Sequence, residues 1–174
     1  MSAPIPVIVC GASREVATQV TANMLPEYDG ESPNSLLLFV YAGHDLPITA
    51  KEVPQIISGS PPAAASLHTD VGSNDFTVPP RAVIAGGGYS DEAFETLYQG
   101  CVQACGSEAN LPVPFFRVSN EITSRLEAEG KGPKIRTPEY PKAVANRLKD
   151  KLKEAGVGPG ISEQPGNKGK TFFF

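Results

Sequence analysis

The sequence is poor in the residues that build cross-links and metal clusters. Its 174 residues include three cysteines, Cys10, Cys101 and Cys105, and two histidines. An odd cysteine count without framework spacing is typical of reduced thiols and excludes a disulfide scaffold. Cys101 and Cys105 lie one helical turn apart, but with no further cysteine or paired histidine they form no zinc motif. The sequence therefore predicts no metal site, and we interpret the cysteines as buried small apolar residues.

The sequence also lacks long apolar runs and the best-defined catalytic motifs. No run approaches the length of about 18 residues that a membrane-spanning helix needs, and the N-terminal residues carry no basic leader. A P-loop and a Gly-x-Ser-x-Gly nucleophile motif are both missing. We therefore expect a cytoplasmic protein that does not contact membranes.

The chain also has few basic residues before residue 131 and few acidic residues after it. Residues 1–130 carry 5 Lys/Arg against 15 Asp/Glu, a net charge of −10, whereas residues 131–174 carry 10 against 4, a net charge of +6. A basic segment behind an acidic body can dock on that body, pair with a second subunit or attract phosphates. Nucleic acid is not an expected partner, because the acidic body repels a polyanion.

Apolar runs and helical periodicity alternate along the chain. The runs predict four buried strands, at 5–10, 35–42, 81–89 and 113–118. The segments between and after them predict four helices. The first is capped by Ser13 and has Val16, Val20 and Met24 on its inward face, and the second covers 49–59 and is bent at Pro54. The third is capped by Ser90 and has Phe94, Leu97, Cys101 and Cys105 inward, and the last runs from Thr137–Glu139 to Gly156 with Tyr140, Val144, Leu148 and Leu152 inward.

Strands that alternate with helices predict an α/β protein with a parallel sheet and right-handed crossovers. The predicted fold is a three-layer Rossmann-like sandwich with four to five parallel strands. Residues 1–156 form the single predicted domain. Within it, the Pro/Ala/Ser-rich residues 59–80 show no period and predict a flexible loop or a functional lid. Residues 157–174 predict a mobile Gly/Pro/Lys-rich tail.

Ligands of open parallel sheets lie beyond the carboxyl ends of the strands, where the strand order reverses. The turn after the first strand holds Gly11, Ala12, Ser13 and Arg14, and the turn after the third holds Gly86, Gly87, Gly88 and Tyr89. Both turns lead into helix N-termini, whose free N–H groups favour anions. We expect these residues to bind a small-molecule ligand or cofactor.

Two of the motifs resemble known dinucleotide-binding families. "VIVCGASREVATQV" resembles the first strand, turn and helix of short-chain dehydrogenases and of NmrA-like proteins, and "RAVIAGGGYSDEA" is similar to their later Gly-rich strand end. The sequence also resembles small fungal Rossmann-like proteins with a Pro/Ser-rich insertion and Tyr-Pro-Lys in the last helix. The resemblance implies a truncated relative of these families that binds NAD(P).

The sequence departs from these families at two critical places. Glu15 replaces the second glycine of the fingerprint and brings a negative charge to the phosphate position. Like charges about 4 Å apart repel by ~4 kcal/mol at an effective dielectric near 20, although Arg14 can neutralise Glu15 or bind a phosphate itself. No tyrosine has a lysine four residues later, so a standard short-chain dehydrogenase is not expected.

Three side chains remain as candidates for acid/base or orienting roles. His44 follows the second strand, Tyr89 follows the third, and Arg117 ends the fourth, so all three lie at the expected ligand edge. Three hypotheses stay open. The chain is a sensor or accessory factor that binds a nucleotide or small anionic metabolite, a cofactor-independent isomerase or cyclase of secondary metabolism, or a homodimeric interaction protein with a vestigial pocket.

Overall fold

A five-stranded, all-parallel sheet forms the centre of the molecule, with the strand order β2-β1-β3-β4-β5. The computed structural model describes residues 5–24, 37–158 and 161–174, with the backbone alone for 20–24 and 37. The strands are β1 (Ile5–Cys10), β2 (Leu37–Gly43), β3 (Val83–Ala85), β4 (Phe115–Arg117) and β5 (Thr171–Phe173). The predicted α/β class with a parallel sheet is confirmed, and the order 2-1-3-4-5 is that of flavodoxin-like doubly wound sheets.

In the described part of the chain, five α-helices connect the strands, and side-chain caps define several of their starts. They are α1 (Arg14–Met24), α2 (Leu46–Ile57), α3 (Asp91–Cys105), α4 (Asn120–Ala128) and α5 (Tyr140–Glu154). The Ser90 hydroxyl accepts the Ala93 N–H, as predicted, and Ser13 Oγ accepts the Val16 N–H at 3.3 Å. The predicted end of α1 at Pro26 and the start of β2 at 35 lie outside the described residues.

Two apolar clusters fill the spaces on either side of the sheet. Alternate side chains of β1 point to opposite faces, so Val7 and Val9 pack with α5 while Ile8 and Cys10 pack with α2 and α3. We call these sides the α5 face and the α3 face. The helix α1 contacts α5. The basic C-terminal helix therefore docks on the body through apolar contacts of Val144, Leu148 and Leu152.

One connection departs from the predicted right-handed crossovers. The β1–β2 and β4–β5 connections both run over the α5 face, through α1 and α5, but they step towards opposite edges of the sheet. Connections that cross the same face of a parallel sheet towards opposite edges have opposite hands. The expectation that all crossovers are right-handed is therefore wrong for one of the two. The preference arises in short strand–helix–strand units, whereas the β4–β5 connection is long and contains two helices.

The Pro/Ala/Ser-rich segment 59–80 lies along the outer edge of β2. Ala42 N donates to Val71 O at 3.1 Å, and Ser73 N and Asn74 N donate to the carbonyls of Phe39 and Val40 at 2.9 and 2.8 Å. The segment thereby pairs backbone groups that an edge strand otherwise leaves open. Its flexibility stays a prediction.

The end of the Gly/Pro/Lys-rich tail supplies β5. Phe174 is 3 % exposed on the α5 face, and its carbonyl accepts the Ser119 N–H at 2.7 Å. The strand predictions did not include these residues, because three aromatic residues after a Gly/Lys-rich stretch show too short a pattern for period analysis. The predicted mobility of 157–174 is not tested by these contacts, but any motion has to accommodate them.

Candidate functional site

The two glycine-containing turns lie side by side at the carboxyl edge of the sheet. Gly86 N donates to Cys10 O at 2.8 Å, and a Cβ built on Gly88 would overlap the Cβ of Ala12. Gly11 N donates to Gly43 O at 2.8 Å, which continues the sheet hydrogen bonds past β1. The topology places this edge between β1 and β3, where the strand order reverses and ligands of such sheets bind.

A cavity of about 1160 Å³ opens beside these turns on the α5 face. Its walls are the ends of β1, β3 and β4, the first turns of α1, the start of α5 and the segment before it. Most of the lining is apolar: Val9, Val16, Ile84, Val118, Ile135, Pro138, Pro141, Val144, Ala145, Leu148 and Phe174. We call it the crevice cavity. Its volume slightly exceeds the roughly 300–1,000 Å³ of typical small-molecule sites.

Several polar groups line the crevice cavity. Gly86, Gly87 and Gly88 contribute backbone, Asn120 and Tyr140 contribute an amide and a hydroxyl, and Glu15 contributes a carboxylate. The sequence analysis placed Tyr140 on the buried face of the last helix, but the structure leaves it half-buried with its ring on the cavity. Val16 was predicted to face the core and is instead 42 % exposed at the cavity wall; the side chains of Val20 and Met24 lie outside the described residues.

Glu15 and Arg14 point to different places. Glu15 lies in the cavity lining and accepts a hydrogen bond from the Gln19 amide at 3.3 Å. Arg14 forms an ion pair with Asp70 of the segment along β2, and this contact raises the pKa of Arg14 and lowers that of Asp70. Both side chains are exposed. Arg14 is therefore engaged elsewhere and does not neutralise Glu15. Ser13 caps α1 through its hydroxyl.

Tyr89 and Arg117 point away from the crevice cavity, towards the α3 face. Arg117 pairs with Asp91 at 2.7 Å, donates to Tyr89 O at 3.2 Å and lies 5.1 Å from the Phe94 ring centre. These contacts hold the turn between β3 and α3. Tyr89 is buried beside Cys10, and burial, with the Cys10 thiol close by, raises its pKa. Neither side chain lines the crevice cavity.

His44 belongs to a second polar cluster, at the edge where β2 meets α2. Glu52, which is buried, accepts the Tyr41 hydroxyl at 2.6 Å, the His68 backbone N–H at 3.0 Å and His68 Nδ1 at 2.6 Å. His68 Nε2 accepts the His44 backbone N–H at 3.2 Å. Both ring nitrogens of His68 are thus occupied, so the cluster fastens the segment 59–80 to β2 and α2.

The His44 imidazole packs edge-on against His68, with 4.8 Å between the ring centres. Burial lowers the pKa of His44, and the neighbouring His68 and Arg14 act in the same direction. The three catalytic candidates His44, Tyr89 and Arg117 therefore do not meet at one point. His44 lies at the β2 end, and the other two are engaged in contacts on the α3 face.

Two of the three thiols are buried, as the sequence analysis predicted for the cysteines. Cys10 and Cys101 lie on the α3 face, where burial raises the pKa of Cys10 and raises that of Cys101 to about 12. In the part of the chain that the structure describes, no group of three or more His, Cys, Asp or Glu side chains is placed to bind a metal. Nor does any described helix have the length and apolar character to cross a bilayer.

The strand pattern places Asn120 at the carboxyl edge, because it lies three residues after the end of β4. Sequence reasoning missed Tyr140 as a cavity residue. Tyr140 reaches the cavity because α5 runs back over β1 and β3, and this path is not encoded in local periodicity.

Comparison with known proteins identifies one relative. No family model matches the chain, so none supports the resemblance to short-chain dehydrogenases and NmrA-like proteins, and no solved structure matches it. The chain is 33 % identical over 162 residues to kojic acid related protein 6 of Aspergillus oryzae, and the match covers 91 % of this chain and 82 % of the relative. Identity at this level over nearly the whole of both proteins shows that the chain belongs to the same family as kojic acid related protein 6.

Proposed function

We propose that this protein binds a small metabolite in the crevice cavity and acts as a sensor or accessory factor of secondary metabolism. The observation that carries the proposal is the position of the cavity. It opens at the strand-order reversal between β1 and β3, beside two adjoining glycine turns, and it is lined by apolar walls with a few polar groups.

The relative supports a role connected with a small organic molecule. Its name ties it to kojic acid, and a cavity of about 1160 Å³ has room for a compound of that size or considerably larger. The side chains that the sequence singled out for catalysis do not converge in this cavity, so binding is better supported than turnover.

The sequence predicts a nucleotide or a small anionic metabolite as the ligand. The start of α1 after Gly11 favours an anion, because the first N–H groups of a helix have no partner within the helix. Glu15 in the cavity wall and the pairing of Arg14 with Asp70 oppose a pyrophosphate at that place. Of the ligands that the sequence suggests, a small metabolite is therefore better supported than NAD(P).

Thermal unfolding with added compounds tests the proposal. A ligand present at 100 times its dissociation constant stabilises the fold by ~2.7 kcal/mol, which raises Tm by roughly 5–10 °C for a chain of this size. NAD⁺, NADH, NADP⁺, NADPH and kojic acid are the first compounds to add. A compound that shifts Tm supports the proposal only if the shift depends on the cavity.

A matched pair of variants supplies that control. Val16→Trp places a large side chain at an exposed position of the cavity wall, and Val78→Trp places the same side chain at an exposed position outside it. The proposal predicts that Val16→Trp abolishes the ligand-induced shift and that Val78→Trp retains it. A shift that survives Val16→Trp places binding elsewhere and contradicts the proposal.

The homodimer stays a prediction, and light scattering of the full chain tests it. A chain shortened before Pro138 is unsuitable, because α5 contributes Val144, Leu148 and Leu152 to the core.

A further inference from the structure

We propose that the ligand of the crevice cavity is an uncharged, mainly apolar compound with a hydroxyl or carbonyl oxygen, which Asn120 and Tyr140 orient. The inference rests on the proposed function and goes beyond it by naming the ligand chemistry and the two orienting side chains. It also differs from the sequence-based expectation of an anion.

Asn120 and Tyr140 converge on one point above the Gly87 turn. A Cβ built on Gly87 would lie 3.5 Å from Asn120 Oδ1, 3.7 Å from the Tyr140 hydroxyl and 3.4 Å from Val118 Cγ1. These distances are ordinary contacts, so a ligand atom can occupy the space that the missing side chain leaves. Asn120 comes from the first turn of α4 and Tyr140 from the first turn of α5, so two different elements aim polar groups at the same place.

Both side chains have hydrogen-bonding capacity to offer. Within residues 5–24, 37–158 and 161–174, neither the Asn120 amide nor the Tyr140 hydroxyl has a protein hydrogen-bond partner. An amide supplies both donors and an acceptor, and a phenol supplies one donor and an acceptor. A single hydroxyl or carbonyl oxygen above Gly87 can therefore bond to both. Neither group brings a formal charge.

The rest of the cavity selects for apolar surface. The lining includes Val9 and Ile84 of the sheet, Val118 just after β4, and Val144 and Leu148 of α5. Burying apolar ligand surface there contributes roughly 25 cal/mol for each Å² removed from water. A charged group placed on these walls would lose its hydration without a counter-ion.

The charged side chains that are described at the cavity offer an anion no buried partner near the glycine turns. Glu15 lies beside the Gly11 turn, and its described contact is the neutral Gln19 amide. Among the lining residues that the structure describes, the one cation is Arg136, which is exposed in the segment before α5. Glu15 and Arg136 are both exposed, so solvent screens both charges, and a carboxylate or phosphate bound above Gly87 has no buried cation among the described lining residues to pair with.

Naphthol and naphthoate of the same ring isomer test this inference, because they share an apolar body and differ in charge at neutral pH. Backbone amide NMR shifts of Gly86, Gly87, Gly88 and Asn120 report binding in the crevice cavity. We expect naphthol to bind at least ten times more tightly than naphthoate. Glu15→Gln should narrow that ratio by strengthening naphthoate binding.

Variants of the two orienting residues test their role. Tyr140→Phe and Asn120→Ala should each weaken naphthol binding about three- to tenfold, the range expected for one net hydrogen bond. Tyr98→Phe is the matched control, because the Tyr98 hydroxyl bonds to Gly169 O on the α3 face, and it should leave naphthol affinity unchanged.

The outcomes separate this inference from the proposed function. If both probes shift the cavity amides but naphthoate binds as tightly as naphthol, or Tyr140→Phe and Asn120→Ala have no effect, the ligand chemistry is overturned and the cavity remains a binding site. If the cavity amides respond to neither probe nor to the nucleotides and kojic acid, the inference and the proposed function both fail.

Discussion

The last residue of the chain should contribute more to stability than its neighbour, although both are phenylalanines in the same segment. Phe174 is 3 % exposed and packs on the α5 face with Phe116, Val118 and Val144, whereas Phe173 is 49 % exposed. Substituting each by alanine removes the same atoms from two different environments. The comparison tests whether the end of the tail belongs to the sheet.

The expected magnitudes follow from burial. Truncation of a buried phenylalanine to alanine costs about 3–5 kcal/mol, from lost transfer free energy and the cavity that remains. Phe174→Ala should therefore remove a large part of a total stability of about 5–15 kcal/mol. Phe173→Ala should cost less than about 1 kcal/mol, because half of its side chain already contacts water.

Urea denaturation followed by circular dichroism measures both variants. The backbone of Phe174 is bonded on both sides, its N–H to Arg117 O at 3.1 Å and its carbonyl to Ser119 N at 2.7 Å, and these bonds hold its ring on the α5 face. Equal midpoints for Phe174→Ala and Phe173→Ala would refute the assignment of β5, and the tail would then be mobile to its end.

Three further predictions concern the turns, the pH dependence and the backbone before α5. Gly88→Ala should lower the free energy of unfolding by about 1 kcal/mol, because the added methyl group overlaps Ala12. In a double-mutant cycle, Ala12→Gly should remove most of that loss. Additive free-energy changes for the two substitutions would show that the turns do not touch. Burial lowers the pKa of His44 in the folded protein, so on acidification this imidazole is protonated first in the unfolded chain, and the free energy of unfolding should fall as the pH drops below about 6.5. Urea titrations at several pH values should show a smaller fall for His44→Asn than for the unsubstituted protein. Identical pH profiles for the two proteins would contradict this prediction. Arg136 has a φ of +69°, a left-handed conformation that costs a residue with a side chain about 1–2 kcal/mol. Arg136→Gly should therefore leave Tm equal or higher, whereas the control Lys134→Gly should lower it. An equal loss of Tm in both variants would show that residue 136 is not left-handed.

The sheet could be predicted from the sequence because parallel strands that are covered on both faces read as continuous apolar runs. "IPVIVC" is buried at every position, as such a run predicts. The capping hydroxyls of Ser13 and Ser90 are local signals and were placed correctly. The bounds of β3 and β4 were too long, because apolar residues beside a strand look the same whether or not they continue the hydrogen-bonded ladder.

Long-range pairings were beyond the sequence analysis. The contacts of residues 71–74 with β2 and the place of β5 beside β4 are made by backbone groups, which leave no periodic pattern of side chains. The hand of the β4–β5 connection was missed for the same reason. It depends on where α5 packs, and the amphipathic pattern of α5 does not say which face of the sheet it covers.

The sequence predicted which turns adjoin at the candidate site but not which face of the sheet each side chain points to. The glycine turns were expected to adjoin, and they do. Arg117 was expected at the ligand edge because it ends β4, but side chains alternate along a strand, and its position in β4 directs it to the α3 face with Phe115. Val118, the next residue, lines the crevice cavity instead.

Amide NMR shifts of the full chain, titrated with a library of small metabolites, test the central claim most directly. The account predicts that the compounds that bind shift Gly86–Gly88, Asn120 and the first turn of α5, and that Val16→Trp removes those shifts. Shifts that fall instead on the open groove beside β5, around Phe94 and Lys170, would contradict it.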